Sequence, residues 1–285
     1  MRERPYAVLL LAVACVSVGS ILVRLAAAPP LAVAFFRVGL ASLVVSPFAL
    51  PTLLTTFPAL SRGHKATLLG AGIALGLHFA TWIASLSFTS IASSVLIVNT
   101  APLSTLVLSR VFLSETPPRA VVVAIGIALL GVALIGFGDW GESHVKGDLL
   151  AAAGAVALSA YHVIGRALRK ALPLNAYILG IWATASVLLA GLSLGTGVPL
   201  WGYSQRTLLT FLALALVPTL AGHGLANRSL RSLPAATVGL FMLGEPIGAS
   251  ALAFVLYREV PSPTTLVGGG IVLLGLVLAI LGGSQ

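Results

Sequence analysis

Residues 241–263 read FMLGEPIGASALAFVLYREVPSP, with an acid, Glu245, set directly before a proline inside an apolar run and a second acid, Glu259, near its end. What surrounds this run decides whether it is a buried soluble helix or a membrane span. The 285-residue chain is 58% hydrophobic and only 8% charged, whereas a soluble domain of this size charges roughly a quarter of its positions. Apolar stretches of about 20 residues, enough to cross a hydrocarbon core of about 30 Å, recur from end to end. Backbone hydrogen bonding in lipid leaves only helices or a closed barrel. A barrel would alternate in segments of about 10 residues, and these runs are continuous. The fold class is therefore an all-α integral membrane protein.

Ten spans are expected, at 6–26, 31–50, 66–86, 91–112, 119–137, 147–168, 176–196, 207–229, 235–256 and 264–282. Breakers fill the gaps: Pro29-Pro30, Pro117-Pro118, Gly195 to Pro199, and Pro261 with Pro263. No gap has room for a soluble domain. The opening MRERPYAVLLLAVACVSVGS has the basic and apolar regions of a signal peptide, but its apolar run continues to about Leu25 and similar runs follow, so it is read as an uncleaved first helix. The net charge of +9 does not point to nucleic acid, because the basic residues sit in short gaps between spans rather than on one segment. With the N-terminus inside, eleven of the 16 Lys and Arg fall on the cytoplasmic side: Arg2, Arg4, Arg62, Lys65, Arg110, Arg119, Arg166, Arg169, Lys170, Arg228 and Arg231. Lys146, Arg206 and Arg258 fall outside, and Arg24 and Arg37 lie within spans. This bias predicts cytoplasmic termini. The lone Cys15 excludes an internal disulfide and gives no metal framework.

The two halves echo one another at a single offset. Pro102 and Pro246 are 144 apart, as are Glu115 and Glu259, Pro117 and Pro261, Gly126 and Gly270, and Gly131 and Gly275. The same shift lays SIASSVL (90–96) over PAATVGL (234–240). A repeat over 1–140 and a second over 141–285 then hold five helices each. An odd number forces the copies into opposite orientation, and such inverted repeats are the signature of secondary transporters with a central site at the bilayer midplane.

The run GLHFATWIASLSFTSIASSVLIVNTAPLSTLVLSRVFLSE (76–115), together with GEPIGASALAFVLYREVPSPTTLVGGGIVLLGLVL (244–278), resembles the drug/metabolite transporter superfamily, specifically its EamA-type branch. The resemblance covers the whole chain. It implies ten helices around a central cavity, cytoplasmic termini in the inner (cytoplasmic) membrane, and export of small metabolites, often amino acids.

Ionisable and polar groups inside spans are costly and usually face a cavity or a partner. Arg37 lies about six residues into the second span, roughly 9 Å deep. It can bind a substrate carboxylate bidentately, or snorkel to the interface. His78 and Trp82, four apart, share a helix face and with Asn99 form a cavity set from the first half. Tyr161, His162, Trp182 and His223 form a comparable set from the second; each can instead serve as an interhelical hydrogen-bonding residue. Pro102 and Pro246 fall mid-span in equivalent helices, where each frees the carbonyl four residues earlier and marks a hinge or a harmless kink. Glu245 lies about 10 residues into its span, roughly 15 Å deep, and its repeat partner is Ala101. Internal symmetry therefore does not demand an acid there. It can bind a substrate amino group, titrate as a proton-coupling site, or hold the kinked helix as a structural acid. Glu115 and Glu259, beside prolines in both repeats, read as structural.

GFGD (136–139) matches the Gly-x-Gly-Asp of intramembrane aspartyl proteases, but that chemistry needs two aspartates sharing a proton, and Asp148 is at a helix end. The Gly-x-Ser-x-Gly match GLSLG (191–195) lies at the end of an apolar span rather than at a strand-to-helix elbow, and no Walker A sequence occurs. The expectation is a non-enzyme with no cofactor, metal or ATP-binding domain, whose partners are a small-molecule substrate and the lipid bilayer; a homodimer is left open. Export of amino acids or their analogues leads. Import or exchange of a nucleoside, vitamin or organic cation is the alternative within transport, and an intramembrane enzyme the alternative outside it.

Overall fold

A computed structural model of the chain describes residues 5–89, 91–137, 145–258, 260 and 262–282. Arg2, Arg4, Gly138, Asp139, Glu259 and Pro261 lie outside the described residues. The helices in chain order are α1 (Pro5–Ser17), α2 (Gly19–Ala26), α3 (Pro30–Ala59), α4 (Arg62–Ser85), α5 (Ile91–Val98), α6 (Ala101–Leu113), α7 (Arg119–Phe137), α8 (Val145–Arg169) and α9 (Leu174–Gly195). There follow α10 (Gln205–Leu214), a π-helical segment (Ala215–His223), α11 (Gly224–Ser229), α12 (Ala235–Met242), α13 (Glu245–Tyr257) and α14 (Pro263–Gly282). Nine helical runs among the described residues are long and apolar enough to cross a membrane, and α7 adds a shorter apolar stretch, Arg119–Ile135. The protein is an all-helical integral membrane protein of nine to ten spans.

The offset of 144 reappears in the element bounds. It carries the start of α3 at Pro30 onto that of α9 at Leu174, α5 at Ile91 onto α12 at Ala235, and α7 at Arg119 onto α14 at Pro263. The same shift superposes Ser114 (φ 53°) on Arg258 (φ 59°), the left-handed residues that end α6 and α13. Both α6 and α13 open with a proline in second place, after breaks at Asn99–Thr100 and Leu243–Gly244. Pro102 and Pro246 thus begin new half-helices rather than bending continuous ones, because each lacks the N–H that would carry the ladder across the break.

Three spans differ from the hydropathy reading. The second was expected over 31–50 but runs to Ala59 through Pro47, Pro51 and Pro58. Local polar groups assist: the carbonyl of Leu43, which Pro47 cannot use, accepts from Ser46 Oγ at 2.8 Å, and at the helix end Lys65 Nζ donates to the terminal carbonyl of Pro58 at 3.2 Å. The first span is interrupted at Val18 between α1 and α2. The eighth passes into π-helix around Pro218, whose missing N–H leaves the carbonyl of Leu214 to accept from Thr219 Oγ1 at 2.8 Å.

Packing crosses between the halves. The main helix pairs are α7 with α14, α4 with α8, α3 with α9, α4 with α9, and α6 with α8. Lipid supplies no hydrophobic drive between helices, so small residues allow the close contact that dispersion needs. A Cβ on Gly131 would lie 2.5 Å from the carbonyl oxygen of Gly268, and one on Gly275 would lie 2.8 Å from that of Ala124. This explains two of the glycines in the echo. The α7–α14 pair supplies residues to the second hydrophobic cluster, whereas the larger cluster gathers residues of α3, α4, α8 and α9.

Candidate functional site

A central cavity of about 60 Å³ opens where the broken spans meet. At roughly 10–15 Å³ for each water, it holds a handful of waters. Its walls carry Arg37 from α3, His78, Phe79 and Trp82 from α4, Asn99 at the α5–α6 break, His162 from α8, His223 at the end of the π-helical segment, and Glu245 as the first residue of α13. Val16, Gly19, Val98, Leu158 and Met242 complete the lining.

Arg37 is 3% exposed and does not snorkel. Its guanidinium lies 4.0 Å over the ring of Phe79, and its Nε donates to Thr219 Oγ1 at 3.3 Å. Thr219 in turn donates to Leu214, so the hydroxyl's lone pairs face the guanidinium. His223 meets the same Phe79 ring edge-on, with centroids 5.5 Å apart at 84°. The side of the guanidinium is thus fixed by a hydroxyl and a ring face. Its two Nη groups, carrying four of the five N–H donors, have no protein partner among the described residues.

Glu245 lines the same cavity. It occupies the first turn of α13, where the helix dipole and unused backbone N–H groups favour an acid. Ser17 Oγ donates to its backbone carbonyl at 3.2 Å and to that of Val13 at 2.8 Å, which ties α1 to the start of α13. Arg37 and Glu245 feel one another's charge but do not close an ion pair. An arginine and a glutamate therefore line one small cavity without bonding to each other.

His78 Nδ1 lies 3.0 Å from the carbonyl of Gly154. A carbonyl only accepts, so Nδ1 carries the hydrogen and a neutral ring leaves its lone pair on Nε2. The ring stacks on Trp82 with centroids 5.8 Å apart at 3°. Asn99 uses its amide nitrogen on the carbonyl of Val95 at 2.8 Å. Among the described residues, no group of three or more His, Cys, Asp or Glu comes together as a metal site.

Two of the side chains expected at the cavity are elsewhere. Tyr161 donates from its hydroxyl to Asn227 Oδ1 at 2.8 Å. Adjacent helical residues do not share a face, so His162 facing inward turns Tyr161 aside. Trp182 is wholly buried in the larger hydrophobic cluster, because α9 packs that face on α3 and α4. Arg24 is exposed at the end of α2. Glu115 pairs with Arg166 at 2.9 Å and Lys170 at 3.4 Å, and Arg166 also donates to the carbonyls of Leu230 and Arg231 at 3.0 and 2.9 Å. That set binds α8 to both halves, away from the cavity. Phe79 and Thr219, which hold Arg37, were not singled out from the sequence. Thr219 follows the mid-span Pro218, the same signal that marked Pro102 and Pro246; Phe79 has no local signal at all.

The model of the EamA-like transporter family matches residues 4–137 and again 145–281, so two copies of one family unit together cover nearly the whole chain. The chain belongs to the EamA-like transporter family. This EamA-like transporter is 27% identical over 238 residues to YwfM of Bacillus subtilis (strain 168), described as an uncharacterized transporter; the match spans 76% of this chain and 80% of that protein. A solved crystal structure superposes with a TM-score of 0.80, covering 100% of this chain and 99% of its own at 19% identity. At that identity the likeness concerns the fold alone.

Proposed function

We propose that the chain is a secondary transporter that exports zwitterionic amino acids or their analogues across the inner (cytoplasmic) membrane by alternating access, without catalysing a reaction. One observation carries the substrate class: a guanidinium with four unused N–H donors and a carboxyl group line one cavity without pairing to each other. An α-carboxylate can take the Arg37 fork in a bidentate charge-assisted pair, and the α-ammonium can take Glu245. Either charge alone would be poorly matched, because an uncompensated charge in a membrane interior is costly. A zwitterion compensates both together. The remaining walls are aromatic and imidazole rings, the Asn99 amide and aliphatic side chains.

The test is counterflow in proteoliposomes. Vesicles preloaded with an unlabelled amino-acid mixture should accumulate labelled amino acids, and should not accumulate labelled uridine or choline. Accumulation of uridine or choline with no amino acid would overturn the reading.

The Lys and Arg bias argues for cytoplasmic termini. Reporter fusions after Arg62, Lys170 and Arg231 are expected to read cytoplasmic, and a fusion after Gly202 external. A cytoplasmic signal at Gly202 would reject the inverted five-helix arrangement.

A further inference from the structure

Arg37 can only donate hydrogen bonds, so it cannot hold the ammonium of a zwitterion. Three other side chains on the cavity wall accept. His78 spends Nδ1 on the carbonyl of Gly154 at 3.0 Å, which leaves the lone pair of the neutral ring on Nε2. Asn99 spends its amide nitrogen on the carbonyl of Val95 at 2.8 Å, which leaves Oδ1 as an acceptor. The ionised Glu245 carboxylate accepts through both oxygens. None of these acceptors has a hydrogen-bond partner among the described residues, and unlike Trp82 Nε1 none is shut off from accessible space.

Packing gathers the three where the broken spans meet. α8 holds His78 on Gly154, and five residues further on Ser159 Oγ donates to the carbonyl of Ala101 at 2.7 Å. Ala101 starts α6 two residues after Asn99. Pro102 then packs on α12, since a Cβ on Gly239 would lie 3.8 Å from its ring. From Gly239, α12 leads through the Leu243–Gly244 break into Glu245, whose carbonyl Ser17 Oγ ties to α1 at 3.2 Å. The starts of α6 and α13 are thus each braced by a serine of the opposite half. The cavity has room for only a handful of waters, so a ligand that fills it lies against all three acceptors.

We propose that His78 Nε2, Asn99 Oδ1 and the Glu245 carboxylate form a three-acceptor site for a primary ammonium, so that the transporter selects primary amino acids over their N-methylated isomers. This rests on the amino-acid reading above, and the test separates the two. A carboxylate alone attracts any cation, methylated or not. Neutral acceptors fixed around it add a demand for N–H groups, because each N-methyl leaves a buried acceptor unpaired.

Three isomer pairs test this at equal formula and charge: L-alanine with sarcosine, 2-aminoisobutyrate with N,N-dimethylglycine, and L-valine with glycine betaine. Within each pair the same carbons sit on the side chain in one member and on nitrogen in the other. Each compound is added unlabelled as a competitor to counterflow of a labelled amino-acid mixture in proteoliposomes. Alanine is expected to compete about tenfold more strongly than sarcosine, and valine about a hundredfold or more above betaine, since a site built to bond N–H groups rejects analogues that lack them. Asn99→Leu removes one acceptor, and His78→Phe removes another while keeping a ring on Trp82. Each should weaken competition by alanine about tenfold and narrow its lead over sarcosine. Equal competition within all three pairs overturns the site and leaves the amino-acid reading standing, as does counterflow with which none of the six compounds competes. Absence of counterflow of the mixture overturns both. Wild-type ratios in both variants, with the protein at normal levels in the membrane, remove His78 and Asn99 from the site. If one variant fails to reach the membrane, the other variant and the wild-type ratios decide the matter.

Discussion

Arg37→Lys is expected to reduce amino-acid counterflow by about ten- to a hundredfold while the amount of protein in the membrane stays near that of the wild type. The size follows from the loss of a charge-assisted pair, about 1.5–3 kcal/mol, at about 1.4 kcal/mol per factor of ten. Charge is retained in the variant, so the cavity still balances Glu245. What is lost is geometry. The planar guanidinium spends its Nε on Thr219 and its face on Phe79, and it still presents two parallel Nη groups. A lysine ammonium is a compact point charge that cannot do all three together. The defect should appear chiefly as weaker apparent affinity, since the variant still offers one donor to a carboxylate. Thr219→Val is expected to move affinity the same way by a smaller factor, and Thr219→Ser to restore it. Wild-type counterflow by Arg37→Lys, with the protein present at normal levels, would remove Arg37 from the substrate site.

Glu245→Gln is expected to reach the membrane and to lose most transport, roughly tenfold or more by the same arithmetic for a charged hydrogen bond. Glutamine keeps the shape, and the backbone carbonyl that accepts from Ser17 Oγ is unchanged, so the seam between α1 and α13 should survive. The two functional roles for this acid separate in one preparation. A group that binds the substrate ammonium is needed for counterflow, which runs without net driving force. A group that only carries a coupling proton is needed for uphill accumulation. Loss of both assigns Glu245 to the substrate; loss of accumulation with counterflow preserved assigns it to the proton. Normal transport in both assays removes it from the mechanism, and disappearance of the protein from the membrane marks it as structural.

Hydropathy alone determined that the chain crosses a membrane as helices, because an unpaired backbone has no partner in lipid and leaves no other continuous solution. The offset of 144 between Pro102 and Pro246 determined where the fourth and ninth spans break, since a missing N–H acts locally wherever it falls. The cost of burying charge was enough to single out Arg37 and Glu245. Which aromatic and imidazole rings join them was settled only in three dimensions. Trp82 and Trp182 are chemically identical, yet α4 turns one toward the cavity and α9 turns the other into the hydrophobic cluster. His162 and Tyr161 are neighbours in the chain, and the rotation of α8 assigns one to the cavity and the other to Asn227. The π-helical turn at Ala215–His223 sets Thr219 under the Arg37 guanidinium across 182 residues of sequence. Periodicity within one helix determines which side chains share a face, but the direction in which that face points is decided by the helices packed against it.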